Sequence, residues 1–226
     1  VEKEVRTIKV GDRVLEYSIR TSHLARRTII KITKVNRLEV VVPRGLPLSV
    51  GEDFLHSKRE WIAKHLPLLD PSKRKYFYKG KEYKLVHSKS AARRTHLIRL
   101  EGDSLIIESP AQTKMEPYDL YMEFLKRNGK GFLTERCIEL AKQNGFSPEK
   151  ITVRGQRTRW GSCSRRKTIS INYKLMQLPP EAIDYVLIHE LCHLRHMDHS
   201  KKFWAEVAQY IPDYKRLDKL VNKFRT

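Results

Sequence analysis

His189-Glu190-Leu191-Cys192-His193-Leu194-Arg195-His196-Met197-Asp198-His199 is the stretch on which the fold and chemistry of this chain turn. On a helix, side chains at i and i+4 leave from one face, so His189 and His193 can close on a single cation with Glu190 beside them. Three neutral imidazoles bind zinc and leave one position open, and water there loses a proton far below its bulk pKa. A carboxylate directly after the first ligand can take that proton without ligating the metal. The segment predicts a zinc hydrolase site, with His189 and His193 as ligands and Glu190 as catalytic base.

Working outward, Pro179-Pro180 suits a first helical turn, and Glu181 and Asp184 fall near its positive end. Ile183, Val186, Leu187 and Leu191 then form an apolar stripe, so the histidines arrive on a buried helix, where polar groups without partners are costly. A straight helix would hold His196 about 10 Å from His189, too far to share one ion. A third ligand therefore requires the chain to turn back. His199 suits in type and in the short return loop, with Ser200 capping a helix from Lys201. Glu206 on that helix is the other candidate. No glycine marks the turn.

The motifs Arg159-Trp160-Gly161-Ser162-Cys163-Ser164, Ile169-Ser170-Ile171-Asn172-Tyr173, Asp184-Tyr185-Val186, His189 to Leu194, His199-Ser200 and Phe203-Trp204 are those of a known family. Together they resemble the YgjP-like metallopeptidases, a zincin family related to the WLM and SprT-like peptidases. Arg26-Arg27 and Trp61-Ile62 extend the likeness into the N-terminal half. The resemblance implies a zincin catalytic domain with His189, His193 and His199 on one zinc ion and Glu190 as base. His196 stands where metzincins have the glycine of their turn, so that turn is not carried over.

The 226 residues suffice for a core without disulfides. Cys137, Cys163 and Cys192 form no C-x-x-C pair, which predicts reduced thiols and a cytoplasmic setting. No run approaches the roughly 20 apolar residues of a membrane span, and no signal-like apolar segment opens the chain. Membrane binding is not expected. Forty-six Lys and Arg against 26 Asp and Glu give a net charge of +20, which favours a polyanionic partner, nucleic acid included.

The chain reads as α+β: a zincin-like domain of a small sheet and an active-site helix over 115–226, preceded by a β-rich module with one helix over 1–114. Strands are expected at Val5 to Val10, Val14 to Arg20, Thr28 to Val35 and Leu38 to Val42, with turns at Gly11-Asp12 and Asn36-Arg37. A capping box at Ser49-Val50-Gly51-Glu52 opens one helix with the stripe Val50, Phe54, Trp61, Ile62 and His65. Pro67 to Lys75 reads as a linker. Four short strands follow before residue 109, then helices at Pro117 to Lys126 and Phe132 to Asn144. Thr168 to Leu175 reads as a strand whose Ser170-Ile171-Asn172 forms the cleft edge, to which a peptide can add.

Arginines around Trp160, notably Arg157 and Arg159, make a phosphate-binding turn one reading and a solvated basic hairpin the other. Asn172 is a substrate-contact candidate, and the Tyr214 hydroxyl a candidate oxyanion donor. Three functions follow. The first is a zinc peptidase, the second a metal-dependent nucleoside triphosphate pyrophosphatase, and the third a nucleic-acid-associated protein with structural zinc. The ligand set also accepts Co, Mn or Ni.

Overall fold

A computed structural model of the chain describes residues 5–32, 38–65, 74–156 and 158–224. They fall into two units, Val1–Arg74 and Lys75–Thr226. In the first, β1 (Val5–Val10) and β2 (Arg13–Ser22) form an antiparallel hairpin turned by Gly11 at φ 59°. β3 (Ile29–Ile32) pairs antiparallel with β4 (Leu38–Pro43), which runs parallel to β2 and gives the order β1-β2-β4-β3. The turn expected at Asn36-Arg37 and nearly all of the Pro67 to Lys75 linker lie outside the described residues.

Where one helix was expected there are two, α1 (Leu48–Ser57) and α2 (Arg59–His65), broken at Lys58. Pro47 is the N-cap of α1 and makes no side-chain cap bond, so Ser49 lies in the first turn and the capping box does not form. The expected stripe is also rotated within α1, whereas Ile62 on α2 is buried as expected. Leu55 and Ile62 pack on Ile8, Val10, Tyr17, Leu38, Val40 and Val42, while Val50 and Trp61 are exposed. Gly51 causes the rotation. A Cβ there would sit 2.6 Å from Ile19 Cδ1 and Val42 Cγ2, so glycine lets α1 lie directly on the sheet. Alanine favours helix by about 1 kcal/mol, and overpacking costs about 1–3 kcal/mol. Gly51→Ala is therefore expected to lower stability by about 1 kcal/mol in chemical denaturation, and a gain would mean that α1 can shift outward.

The second unit repeats the strand plan. β5 (Tyr76–Tyr78), β6 (Lys81–Ser90), β7 (Leu97–Glu101) and β8 (Ser104–Pro110) assemble in the order β5-β6-β8-β7, with β6 and β8 parallel. The registers correspond residue for residue: Ile29↔Val41 to Ile32↔Leu38 in one sheet, Leu97↔Glu108 to Leu100↔Leu105 in the other. The corners match as well. Arg44 N donates to Ser22 O at 3.1 Å, and Ala111 N to Ser90 O at 3.1 Å.

The division falls between Arg74 and Lys75 rather than near residue 115, because the second sheet shares a core with the following helices. Tyr76, Leu105 and Ile107 pack in one cluster with Leu120, Tyr121 and Leu187. The Tyr121 hydroxyl donates to Phe77 O at 2.6 Å, and Lys79 N donates to Met176 O at 2.7 Å. Gly80, at φ 83°, lies so close to Pro179 that a Cβ would meet its Cβ at 2.7 Å.

The two helices expected between 117 and 144 are a single helix, α3 (Pro117–Gln143). Its glycines do not break it. Gly129 is where the following segment crosses, with Met176 Cγ 2.9 Å from a built Cβ. A second sheet has the order β10-β11-β9, formed by β9 (Lys150–Arg154), β10 (Gly161–Cys163) and β11 (Thr168–Asn172). β11 ends at Asn172, whose Oδ1 accepts from Lys174 N at 3.1 Å and starts a 3-10 turn over Tyr173–Gln177. The helices α4 (Pro180–Cys192), α5 (Lys201–Tyr210) and α6 (Tyr214–Lys223) complete the unit. No helix among the described residues is long and apolar enough to cross a membrane.

Candidate metal centre

α4 is buried along Ile183, Val186, Leu187 and Leu191, and Arg136 on α3 fixes its first turn by gripping Asp184 with two bonds of 2.8 and 2.7 Å. His189 lies in its last turn, and His193 is the C-cap. The chain then turns through 193–199 without any positive φ, which is why no glycine is needed there. Asp198 Oδ1 accepts from Ser200 N at 3.3 Å, and Ser200 caps α5 by accepting from Phe203 N. The return brings His199 Nε2 to 3.1 Å from His189 Nε2. One ligand atom from each of His189, His193 and His199 lies within 4.8 Å of the others.

Orientation of these rings comes from their surroundings. His193 Nδ1 is 2.9 Å from the His196 carbonyl, which leaves Nε2 for the cluster. Phe203 stacks on His193 with centroids 4.5 Å apart, and Trp204 stacks on His199 at 5.7 Å. Burial holds His193 below the ordinary imidazole range, which keeps it neutral and able to ligate.

Neither alternative ligand joins the cluster. Glu206 is buried and receives Arg195 Nη1 at 2.5 Å, with His196 Nε2 at 3.4 Å from its other oxygen. Arg195 also donates to Gly145 O at 2.8 Å and lies over the Phe146 ring, so it ties the turn to the end of α3. Arg195→Ala would strand Glu206. Arg195 is partly exposed, so the cost is expected to be about 2 kcal/mol of stability in thermal unfolding, with metal affinity about tenfold lower. A variant unchanged in both measurements would contradict this role.

Glu190 is only 6% exposed and faces β10. A Cβ on Gly161 would meet its Cγ at 2.6 Å and its Oε1 at 2.7 Å, so only glycine admits the carboxylate here. Burial pushes the Glu190 carboxyl up to about 8, with the Arg159 charge pulling against it. Gly161→Ala is expected to displace Glu190 and lower kcat about thirtyfold, with metal content unchanged on elemental analysis; loss of the metal itself would point to a folding defect instead.

A cleft of about 640 Å³ surrounds these groups, lined among others by Arg159, Trp160, Cys163, Tyr185, Trp204 and Asp218. Arg159 lines the cleft, whereas Arg157 lies outside the described residues. Asn172 does not line it. It is buried, and its Nδ2 donates to Arg159 O at 2.8 Å and Gln156 O at 3.0 Å, so it is a structural tie. Tyr214 stacks on Trp204 at 5.2 Å and does not border the cleft; the cleft tyrosine is Tyr185. Nor is β11 the sheet edge. It lies between β10 and β9, and the strand bordering the cleft is β10. Sequence reasoning gave no role to Gly161, Tyr185 or Asp218. The Trp160-Gly161-Ser162-Cys163 motif was the available signal for the first.

Three imidazoles converging beside a buried carboxylate, on the helix that carries two of them, define a metal-dependent hydrolase site. Residues 26–224 match the YgjP-like family, described as "YgjP-like, metallopeptidase domain", and the chain belongs to that family of hydrolases. Its cofactor is accordingly a divalent metal. Among solved structures it is similar to the metallopeptidase zymogen of Pyrococcus abyssi abylysin, at 25% identity and TM-score 0.37 over 41% of this chain and 94% of that one. It is also similar to the metallopeptidase zymogen of Methanocaldococcus jannaschii jannalysin, at 20% identity and TM-score 0.36 over 40% and 95%. No curated protein matches.

Proposed function

We propose that this metallopeptidase hydrolyses peptide bonds with zinc held by His189, His193 and His199, and with Glu190 as general base. The observation that carries it is the convergence of the three rings within 4.8 Å of one another. The donor set fits zinc: all nitrogen, neutral, and three in number, as in sites that keep a position open for reaction. When bound, such an ion supplies a Lewis acid that acidifies water and polarises a carbonyl. Glu190 holds the proton taken from the attacking water and passes it to the leaving amine. Its burial keeps bulk water from that proton.

Substrate is received on β10. Trp160 O accepts from Asn172 N, and Ser164 N donates to Thr168 O, so Trp160, Ser162 and Ser164 spend their main-chain groups on β11. In antiparallel pairing the alternate residues, Gly161 and Cys163, then face outward, ready to bond an extended peptide. A polyphosphate fits less well, because Glu190 and Asp218 both line the cleft and the one arginine among its lining residues is Arg159.

Metal-stripped and zinc-reloaded protein would be assayed against quenched fluorescent peptides and nucleoside triphosphates. Peptide cleavage that disappears on chelation and returns with zinc is expected. Hydrolysis of the nucleotides alone would overturn the proposal.

A further inference from the structure

Asp218 on α6 borders the same cleft as His189, Glu190 and His199. Its Oδ1 accepts from the Tyr185 hydroxyl at 3.1 Å, and its Oδ2 from Asn222 Nδ2 at 3.0 Å. Tyr185 is buried one helical turn before His189, with the two rings 6.1 Å apart. A phenol keeps its proton near neutral pH, so the tyrosine hydroxyl is the donor in this bond. Two neutral donors therefore aim this carboxylate without neutralising it, and each oxygen keeps a further lone pair.

Three other carboxylates of the same unit that are withdrawn from solvent each hold an arginine. Glu206 has Arg195, Asp184 has Arg136, and Glu108 has both Arg93 and Arg99. Asp218 has no ion pair among the described residues, although the chain carries 46 Lys and Arg. Cations are abundant on its own helix: Lys215, Arg216, Lys219 and Lys223. Arg216 is taken by Asp213 at 2.7 Å, and the i+4 position, where a lysine would pair with Asp218, holds Asn222. A half-buried carboxylate aimed into a cleft without a counter-ion is unfavourable until a ligand brings one.

We infer that Asp218 is a specificity-determining residue that binds a cationic group of the peptide substrate, an ammonium or guanidinium, near the scissile bond. The inference rests on the peptidase assignment proposed above. The overall charge of +20 repels such a substrate at long range. Screening over about 8 Å at physiological salt removes most of that repulsion, and the contact with Asp218 decides at hydrogen-bond distance.

The test uses zinc-loaded full-length Glu190→Gln protein, which holds peptides without turning them over, with the fluorescence of the cleft residue Trp204 as readout. The ligands are peptides that differ at one position, Lys, Arg, Gln or Asp, each with a free and with an acetylated N-terminus. Lys and Arg peptides are expected to bind about thirtyfold more tightly than the Gln peptide, and the Asp peptide more weakly than Gln. Adding the isosteric Asp218→Asn should bring the Lys-to-Gln ratio close to one. A preference lost on acetylation assigns the bound cation to the α-amino group; one that survives assigns it to the side chain. Equal affinities across the series, or a ratio indifferent to Asp218→Asn, overturn the inference. If the parent protein cleaves no peptide while the preference persists, the peptidase proposal fails and the cation site stands.

Discussion

Glu190→Gln is expected to bind zinc as the parent chain does and to lose about three orders of magnitude in kcat. The substitution is isosteric, so the contact with Gly161 and the position of the side chain are preserved. An amide cannot accept the proton of the attacking water, and no other carboxylate is seen to replace it. Asp218 lines the same cleft but is held by Tyr185 and Asn222. Stability should not fall, because the amide matches the carboxyl in volume and, like the protonated acid that burial favours here, is uncharged. Turnover of a quenched peptide, paired with metal content by elemental analysis, separates the two effects. Undiminished turnover would remove Glu190 from the chemistry.

The metal helix was legible because its information is local. The i, i+4 spacing of His189 and His193, the apolar stripe and the Ser200 cap are all properties of neighbours in sequence, and each appears where expected. What escaped depends on contacts remote in sequence. β10 rather than β11 borders the cleft because β11 pairs on both sides, a fact of strand register. Glycines were misread for a related reason. Gly51 reads as part of a capping box and the stretch that holds Gly129 as a gap between two helices, yet both glycines mark close approach of another segment. The repeated four-strand plan left a trace in Ala25-Arg26-Arg27-Thr28 and Ala92-Arg93-Arg94-Thr95. Relative to that quartet β3 and β7 align one residue out while β4 and β8 keep its spacing, so the motif alone would have misaligned one strand of the pair. The role of Asp218 could not be read from a lysine-rich helix, because its significance lies in the partners it lacks.

His199→Ala and His196→Ala should part company sharply. His199 presents Nε2 3.1 Å from that of His189, inside the cluster. A four-ligand structural zinc site is worth about 10–16 kcal/mol, so one ligand contributes about 3 kcal/mol. Its loss should weaken zinc binding by a factor of about one hundred and abolish turnover at limiting metal. His196 serves the site differently. It holds His193 Nδ1 through its main-chain carbonyl at 2.9 Å, and alanine keeps that carbonyl. Its ring is 3.4 Å from Glu206, which retains Arg195 as partner. His196→Ala is therefore expected to change zinc affinity by less than about threefold. Competition titration with a chromogenic chelator measures both variants on one scale. The opposite order would mean that the loop rearranges on binding metal, bringing the His196 ring into the position that His199 occupies here.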